Sequence, residues 1–264
     1  MILLKNKEQI DGMRKAGALL YEVLQTLKEE IRPGMSTEDL NQRADELIRR
    51  GNAIPSFLNY EGFPASLCTS VNDVIVHGVP SKDDVLREGD IISLDCGLIL
   101  DGWQADSALT APVGKISEKA QRLIDVTEAC FFAGAFQARV GNTLGDIGYA
   151  VQSLAEREGY GVVRDLSGHG IGRDMHEDPY VYNFGIPGVG FAIRKGMTIA
   201  IEPMITEGDW HVDSEEDGTF VKTVDGLLAS HYEHTLAITS GDAPELLTLP
   251  GFRWKDRGYE EAAK

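Results

Sequence analysis

Apolar residues along this chain recur at two spacings, and the two follow each other in the same order in both halves. In IRPGMSTEDLNQRADELIRR (31–50), Leu40, Ala44 and Leu47 return at helical intervals behind Ser36, whose hydroxyl can cap a first turn that carries Asp39. That pattern predicts a helix. In REGDIISLD (87–95), a turn at Gly89 leads into Ile91, Ile92 and Leu94, a run too short for a helix that ends in the carboxylate of Asp95. It predicts a strand. A shift of 107 residues reproduces both pieces: Gly141, Thr143, Asp146, Ile147 and Leu154 stand for Gly34, Ser36, Asp39, Leu40 and Leu47, and Gly196, Ile199 and Glu202 for Gly89, Ile92 and Asp95. An internal duplication follows. The expected architecture is α+β, one domain over residues 1–264 with two similar halves, about 1–120 and 121–250, around a pseudo-two-fold axis.

After Asp95 the pair Asp101-Gly102, set between alternating apolar residues, predicts a two-residue type I′ hairpin. Its register can be counted: Leu100 faces Trp103, Leu98 faces Ala105, and Gly97 faces Asp106, so Asp95 and Asp106 share one sheet face diagonally. Like charges on a half-buried sheet repel each other and lose hydration unless a cation lies between them. Two more carboxylates stand where strands open. Glu202 ends the apolar run TIAIEPM, and Glu233 enters the β-rich run of HYEHTLAI, Thr235 to Thr239.

The segment DLSGHGIGRDMHEDP (165–179) adds His169 and His176 on a glycine-rich stretch. Four carboxylates and His169 make an oxygen-rich set suited to two hard or borderline ions such as Mn, Fe, Co or Zn. Gly168, Gly170 and Gly172 are expected to let the backbone pass close to that centre, with His176 left for substrate. His77, in VNDVIVHGVP, follows a buried strand and precedes a glycine, a position from which a ring can lean over the site. His211, His231 and His234 read as ordinary.

Composition narrows the partners. A formal net charge of −17 opposes phosphate backbones and anionic lipid, so neither nucleic acid nor membrane is an expected ligand. Cys68, Cys96 and Cys130 are far apart and odd in number, which suggests reduced thiols. The apolar start MILL is too short for a signal peptide and no later run approaches a membrane span, so a cytoplasmic location is expected.

The ordered set NDVIVHGVP, GDIISLDCG, GHGIGRDMHEDP, MTIAIEPM and YEHT resembles the type I methionine aminopeptidases over about residues 5–250. The resemblance implies the pita-bread fold, two pseudo-symmetric α+β halves around a dimetal site. It implies that Asp95, Asp106, His169, Glu202 and Glu233 hold two divalent metals, with Asp106 and Glu233 bridging. It also implies that Glu202 shuttles a proton while His77 and His176 contact the scissile amide. The substrate would be a peptide or nascent-protein N-terminus whose methionine is followed by a small residue. Phe57, Tyr60, Phe63 and Cys68, with Phe220, would wall the methionine pocket.

Five departures from the family pattern stand out: Thr219 where tryptophan is frequent, Phe57 where many bacterial members carry cysteine, Phe63 where they carry tyrosine, Ala105 and Ser107 around Asp106, and Asp174-Met175 before His176. Asp174 is expected to favour protonated His176. A monomer with transient ribosome association is expected. The alternatives are an Xaa-Pro dipeptidase of the same fold and a catalytically inert pita-bread peptide-binding protein, which the full ligand set opposes.

Overall fold

In a computed structural model of the chain, residues 1–214, 220–239 and 243–259 are described. Thr219 and the end of the acidic tail, residues 260–264, lie outside them. The duplicated caps head two helices of equal length. Helix α1 spans Lys7–Glu30, α2 Thr37–Arg50, α3 Glu118–Ala135 and α4 Leu144–Arg157. At the head of α2 the Asp39 carboxylate accepts the Ser36 N–H at 2.9 Å. At the head of α4, Asp146 accepts the Thr143 N–H at 2.7 Å. Such reciprocal caps satisfy backbone donors that a helix start leaves unpaired.

The 107-residue offset extends to bonds that no residue pattern announced. Leu86 N–H donates to Met35 carbonyl at 2.8 Å and, 107 residues on, Ile193 N–H donates to Asn142 carbonyl at 2.9 Å. Gly89 and Gly196 adopt φ of 97° and 89°, a region in which a side chain is strained.

Ten strands frame the site. They are β1 (Cys68–Val71), β2 (Val74–Val76), β3 (Ile91–Leu100), β4 (Trp103–Pro112), β5 (Gly168–Gly170), β6 (Glu177–Val181), β7 (Thr198–Ile201), β8 (Met204–Thr206), β9 (Ala229–His231) and β10 (Glu233–Ala237). In the main sheet β3, β4, β10, β7, β5 and β6 lie side by side in that order, with β1 also paired to β3. The seam between the halves is β4 against β10, flanked by the duplicated strands β3 and β7. That order places a pseudo-two-fold axis at the seam.

Each half keeps its own core. Leu20, Leu24, Leu40 and Ile48 of α1 and α2 pack on Ile92, Leu94 and Leu98. On the other side, Phe131 and Phe132 of α3 pack on Ile199, Ile201 and Leu236. With apolar side chains drawn to the helices, the opposite sheet face is left to polar groups.

The counted hairpin register holds: Leu100 pairs with Trp103, Leu98 with Ala105 and Gly97 with Asp106. Asp101 and Gly102 both take the positive φ of a type I′ turn, 51° and 75°. The strand at Glu233 begins earlier than its β-rich run from Thr235 suggested, because Glu233 itself pairs with Ala108. The three cysteines are free and buried. Among the described residues no helix is long and apolar enough to cross a membrane.

Candidate metal centre and active site

Asp95 on β3, Asp106 on β4, His169 on β5, Glu202 just past β7 and Glu233 at the start of β10 converge on one cavity of about 360 Å³. His169 Nε2 lies 3.7 Å from Asp106 Oδ2 and 3.7 Å from Glu202 Oε1. The seam is bolted by side chains. The Thr235 hydroxyl donates to the Asp106 carbonyl at 2.8 Å and accepts the Asp106 N–H at 3.2 Å. Ser107 donates to the Glu233 carbonyl at 2.7 Å. These bonds fix the two carboxylates nearest the pseudo-axis, and the Ser107 departure retains the hydroxyl that does so.

The electrostatics of the cluster are one-sided. Burial, then the neighbouring Asp106, pushes Asp95 well above the carboxylate range; burial also lifts Asp106 itself to about 7. Glu202 and Glu233 rise for the same reasons, burial first and the other carboxylates second. Among the described residues no Lys or Arg pairs with any of the four, and Asp95 Oδ1, Asp106 Oδ1 and Glu233 Oε1 are buried without a hydrogen-bond partner. Orphaned buried carboxylate oxygens need cations. His169 completes the donor set: its Nδ1 donates to the Gly170 carbonyl at 2.9 Å, so the lone pair is on Nε2, facing the acids. Burial holds this ring below the usual histidine range and so neutral. The donor set fits two divalent ions.

The glycines of the His169 segment do a different job from the one expected. Gly168–Gly170 is a strand wedged between β7 and β6, and a Cβ on Gly168 or Gly170 would lie 2.3 Å from the Ala200 carbonyl oxygen or 2.2 Å from that of Asp178. The close approach is to neighbouring backbone, which explains why so glycine-rich a stretch forms a central strand.

The opposite wall of the cavity is apolar. Phe57 and Phe63 meet edge to face with centroids 6.5 Å apart, and Cys68, paired in register with Asp95, is kept a neutral thiol by burial. Buried Met175 lines the same wall, a contribution the sequence reading noted only as a departure. At the rim, the Tyr60 hydroxyl and His176 Nδ1 share a hydrogen bond of 2.8 Å. His77 takes a left-handed φ of 62° beside Gly78, whose carbonyl accepts the Thr69 N–H at 2.8 Å. A strained turn pinned to β1 thus carries the ring to the cavity.

Three expectations are corrected. Partial enclosure, then the His169 ring, pushes His176 down to about 4, so the upward shift expected of His176 is absent. Phe220 borders a smaller, separate hollow with Val74, Gly78 and Asp84, because the strand that follows it is hydrogen-bonded to β2. His231 is not ordinary: it is buried at the end of β9, with Nε2 3.7 Å from Glu233 Oε2 and 3.9 Å from Glu202 Oε2. The small sheet formed with β8 folds it over the centre, a relation that strand periodicity does not encode. His234 is a satisfied core residue, bonded to Thr248 and Tyr232, and His211 is exposed beside Asp209.

Residues 11–240 match metallopeptidase family M24. The chain belongs to this family. It is 51% identical over 249 residues to a methionine aminopeptidase of Clostridium acetobutylicum, covering 94% of this chain and 99% of the relative. The crystal structure of methionine aminopeptidase from Rickettsia prowazekii superimposes with a TM-score of 0.92 at 42% identity, over 94% of this chain and all of that one. A prolidase from Pyrococcus furiosus shares the fold alone, with a TM-score of 0.73 at 21% identity and only 66% of its length covered. The resemblance read from the motifs therefore holds, as does the pita-bread fold.

Proposed function

We propose that this M24 enzyme removes N-terminal methionine from peptides and nascent proteins, with a preference for a small second residue. One observation carries the reading: a cluster of four buried carboxylates and an imidazole faces, across a single cavity, a wall of Phe57, Phe63, Cys68 and Met175. Soft, apolar surface of that kind suits a thioether. The relatives that match along nearly their whole length, named above, support it.

Asp95, Asp106, His169, Glu202 and Glu233 would hold two divalent ions, Mn, Fe, Co or Zn. Bound there, the ions supply Lewis acidity toward the scissile carbonyl and the attacking water. Glu202 accepts the proton of that water and passes it to the departing amine. Asn183 donates to the Glu202 carbonyl at 2.9 Å and so holds its backbone in place. His77 and His176 at the rim contact the amide and stabilise charge that develops on its oxygen. We place the enzyme in the cytoplasm as a monomer that meets its substrate at the ribosome only transiently.

The test is methionine release from Met-Ala-Ser by protein reloaded anaerobically with each metal, alongside Ala-Pro and Leu-Ala-Ser, with Glu202→Gln as control. Metal-dependent release of Met alone, lost in the control, supports the reading. Cleavage of Ala-Pro in preference would replace it with the dipeptidase alternative.

A further inference from the structure

His231 has no assigned role, yet its surroundings are those of a ligand. The residue is 1% exposed, and both ring nitrogens lack a hydrogen-bond partner among the described residues. A neutral imidazole carries one donor and one acceptor, and burying both unsatisfied is unfavourable unless something absent from the polypeptide meets them. The backbone, by contrast, is firmly held. His231 N–H donates to Thr110 Oγ1 at 3.0 Å, and its carbonyl accepts from the same hydroxyl at 2.9 Å.

The ring sits in a position that mirrors His169. Glu202 presents one oxygen to each imidazole: Oε1 is 3.7 Å from His169 Nε2, and Oε2 is 3.9 Å from His231 Nε2. Each ring also has a second carboxylate at 3.7 Å, Asp106 for His169 and Glu233 for His231. Such separations are too long for hydrogen bonds. They are within the roughly 4.2 Å that can separate two ligands of one ion when each bond is about 2.1 Å. Glu202, His231 and Glu233 offer ligand atoms that all lie within 4.8 Å of one another, as do Asp106, His169 and Glu233.

We propose that His231 ligates one of the two ions through Nε2, beside Glu202 and Glu233. This rests on the dimetal reading above. An added nitrogen shifts the preference of that ion toward Co and Zn over Mn, because imidazole suits those borderline ions better than carboxylate oxygen does.

The test is made on the full chain loaded with two equivalents of Co(II). An imidazole bound to paramagnetic Co(II) through one nitrogen shows its other ring N–H as a single, far-shifted, exchangeable proton signal. Two such signals are expected in the wild type and one in His231→Gln, with His176→Asn retaining both. In calorimetry, His231→Gln should bind its weaker Co(II) at least about tenfold less tightly, with a smaller change for Mn(II). Two ions bound with a single shifted signal in the wild type would overturn the assignment and leave the dimetal reading intact. Failure of the wild type to bind two ions would overturn both. The wild-type signal count needs no variant to fold, and loss of the second signal in His176→Asn instead would assign it to that ring and refute the role of His231.

Discussion

Gly97 faces Asp106 across the β3–β4 ladder, and its missing side chain is what lets the pocket wall sit against the metal face. A Cβ there would lie 2.8 Å from Phe57 Cε1 and 2.9 Å from Met175 Cε, both ends of flexible side chains. Gly97→Ala should therefore push those side chains into the cavity while the carboxylates stay in place. Overpacking of this kind costs about 1–3 kcal/mol. KM for Met-Ala-Ser is expected to rise by about tenfold, with two-ion binding unchanged. An unaltered KM would show that the wall yields elsewhere.

The hydrogen bond between Tyr60 and His176 is a positioning contact. Tyr60→Phe removes it without opening the apolar wall, and a hydrogen bond contributes about 1 kcal/mol. On that basis kcat/KM should fall about fivefold. Steady-state kinetics on Met-Ala-Ser would measure it, and a fall in His176→Asn that Tyr60→Phe does not deepen is expected if the two act as one unit.

Chelation should make stability depend on pH in a direction set by the raised carboxyls. Asp106 is lifted to about 7, and Asp95, Glu202 and Glu233 rise as well, so above about pH 7, where the buried histidines are neutral in both states, the folded apo chain holds more protons than the unfolded one. Stability then falls as pH climbs through about 7. Melting of EDTA-treated protein should occur at a lower temperature near about pH 8.5 than near about pH 7, and added Mn(II) should remove the difference. An apo Tm that rises with pH over this range would contradict the carboxylate cluster as described.

Lys5 and Glu177 form an ion pair with both side chains almost wholly buried, 6% and 5% exposed. Glu177 also accepts the Arg173 N–H at 3.0 Å and directly follows His176, so the pair tethers the rim. Lys5→Met leaves a buried charge unmatched at a cost of about 3 kcal/mol. Tm should fall by roughly 6–12 °C. Lys5→Met combined with Glu177→Leu should recover much of that loss, and equal losses in the single and double variants would assign the effect to packing instead.

Much of the architecture was legible because local rules leave few choices. A capped helix with apolar residues at helical spacing, followed by a glycine-led apolar run, has one reading, and its recurrence 107 residues later implied two halves. The Asp101-Gly102 turn fixed a register in which each later pair follows by counting, so Gly97 opposite Asp106 needed no tertiary information. His231 was not legible. Its strand is short, belongs to a separate small sheet, and gives no pattern to show that the ring turns toward Glu202. The glycines around His169 were seen but misread, since closeness to Ala200 and Asp178 depends on which strands flank them.

By itself the sequence determined the repeating α+β units and the hairpin that sets Asp95 and Asp106 on one face, because caps, turns and strand alternation act over a few neighbouring residues. Only the tertiary structure decided how the halves meet at the β4–β10 seam, which bolts Asp106 to Thr235 and Glu233 to Ser107. It alone placed Met175 and His231 at the site and Phe220 outside it. These relations are between segments far apart in the chain, and they arise from strand order and the packing of two cores, neither of which any local pattern specifies.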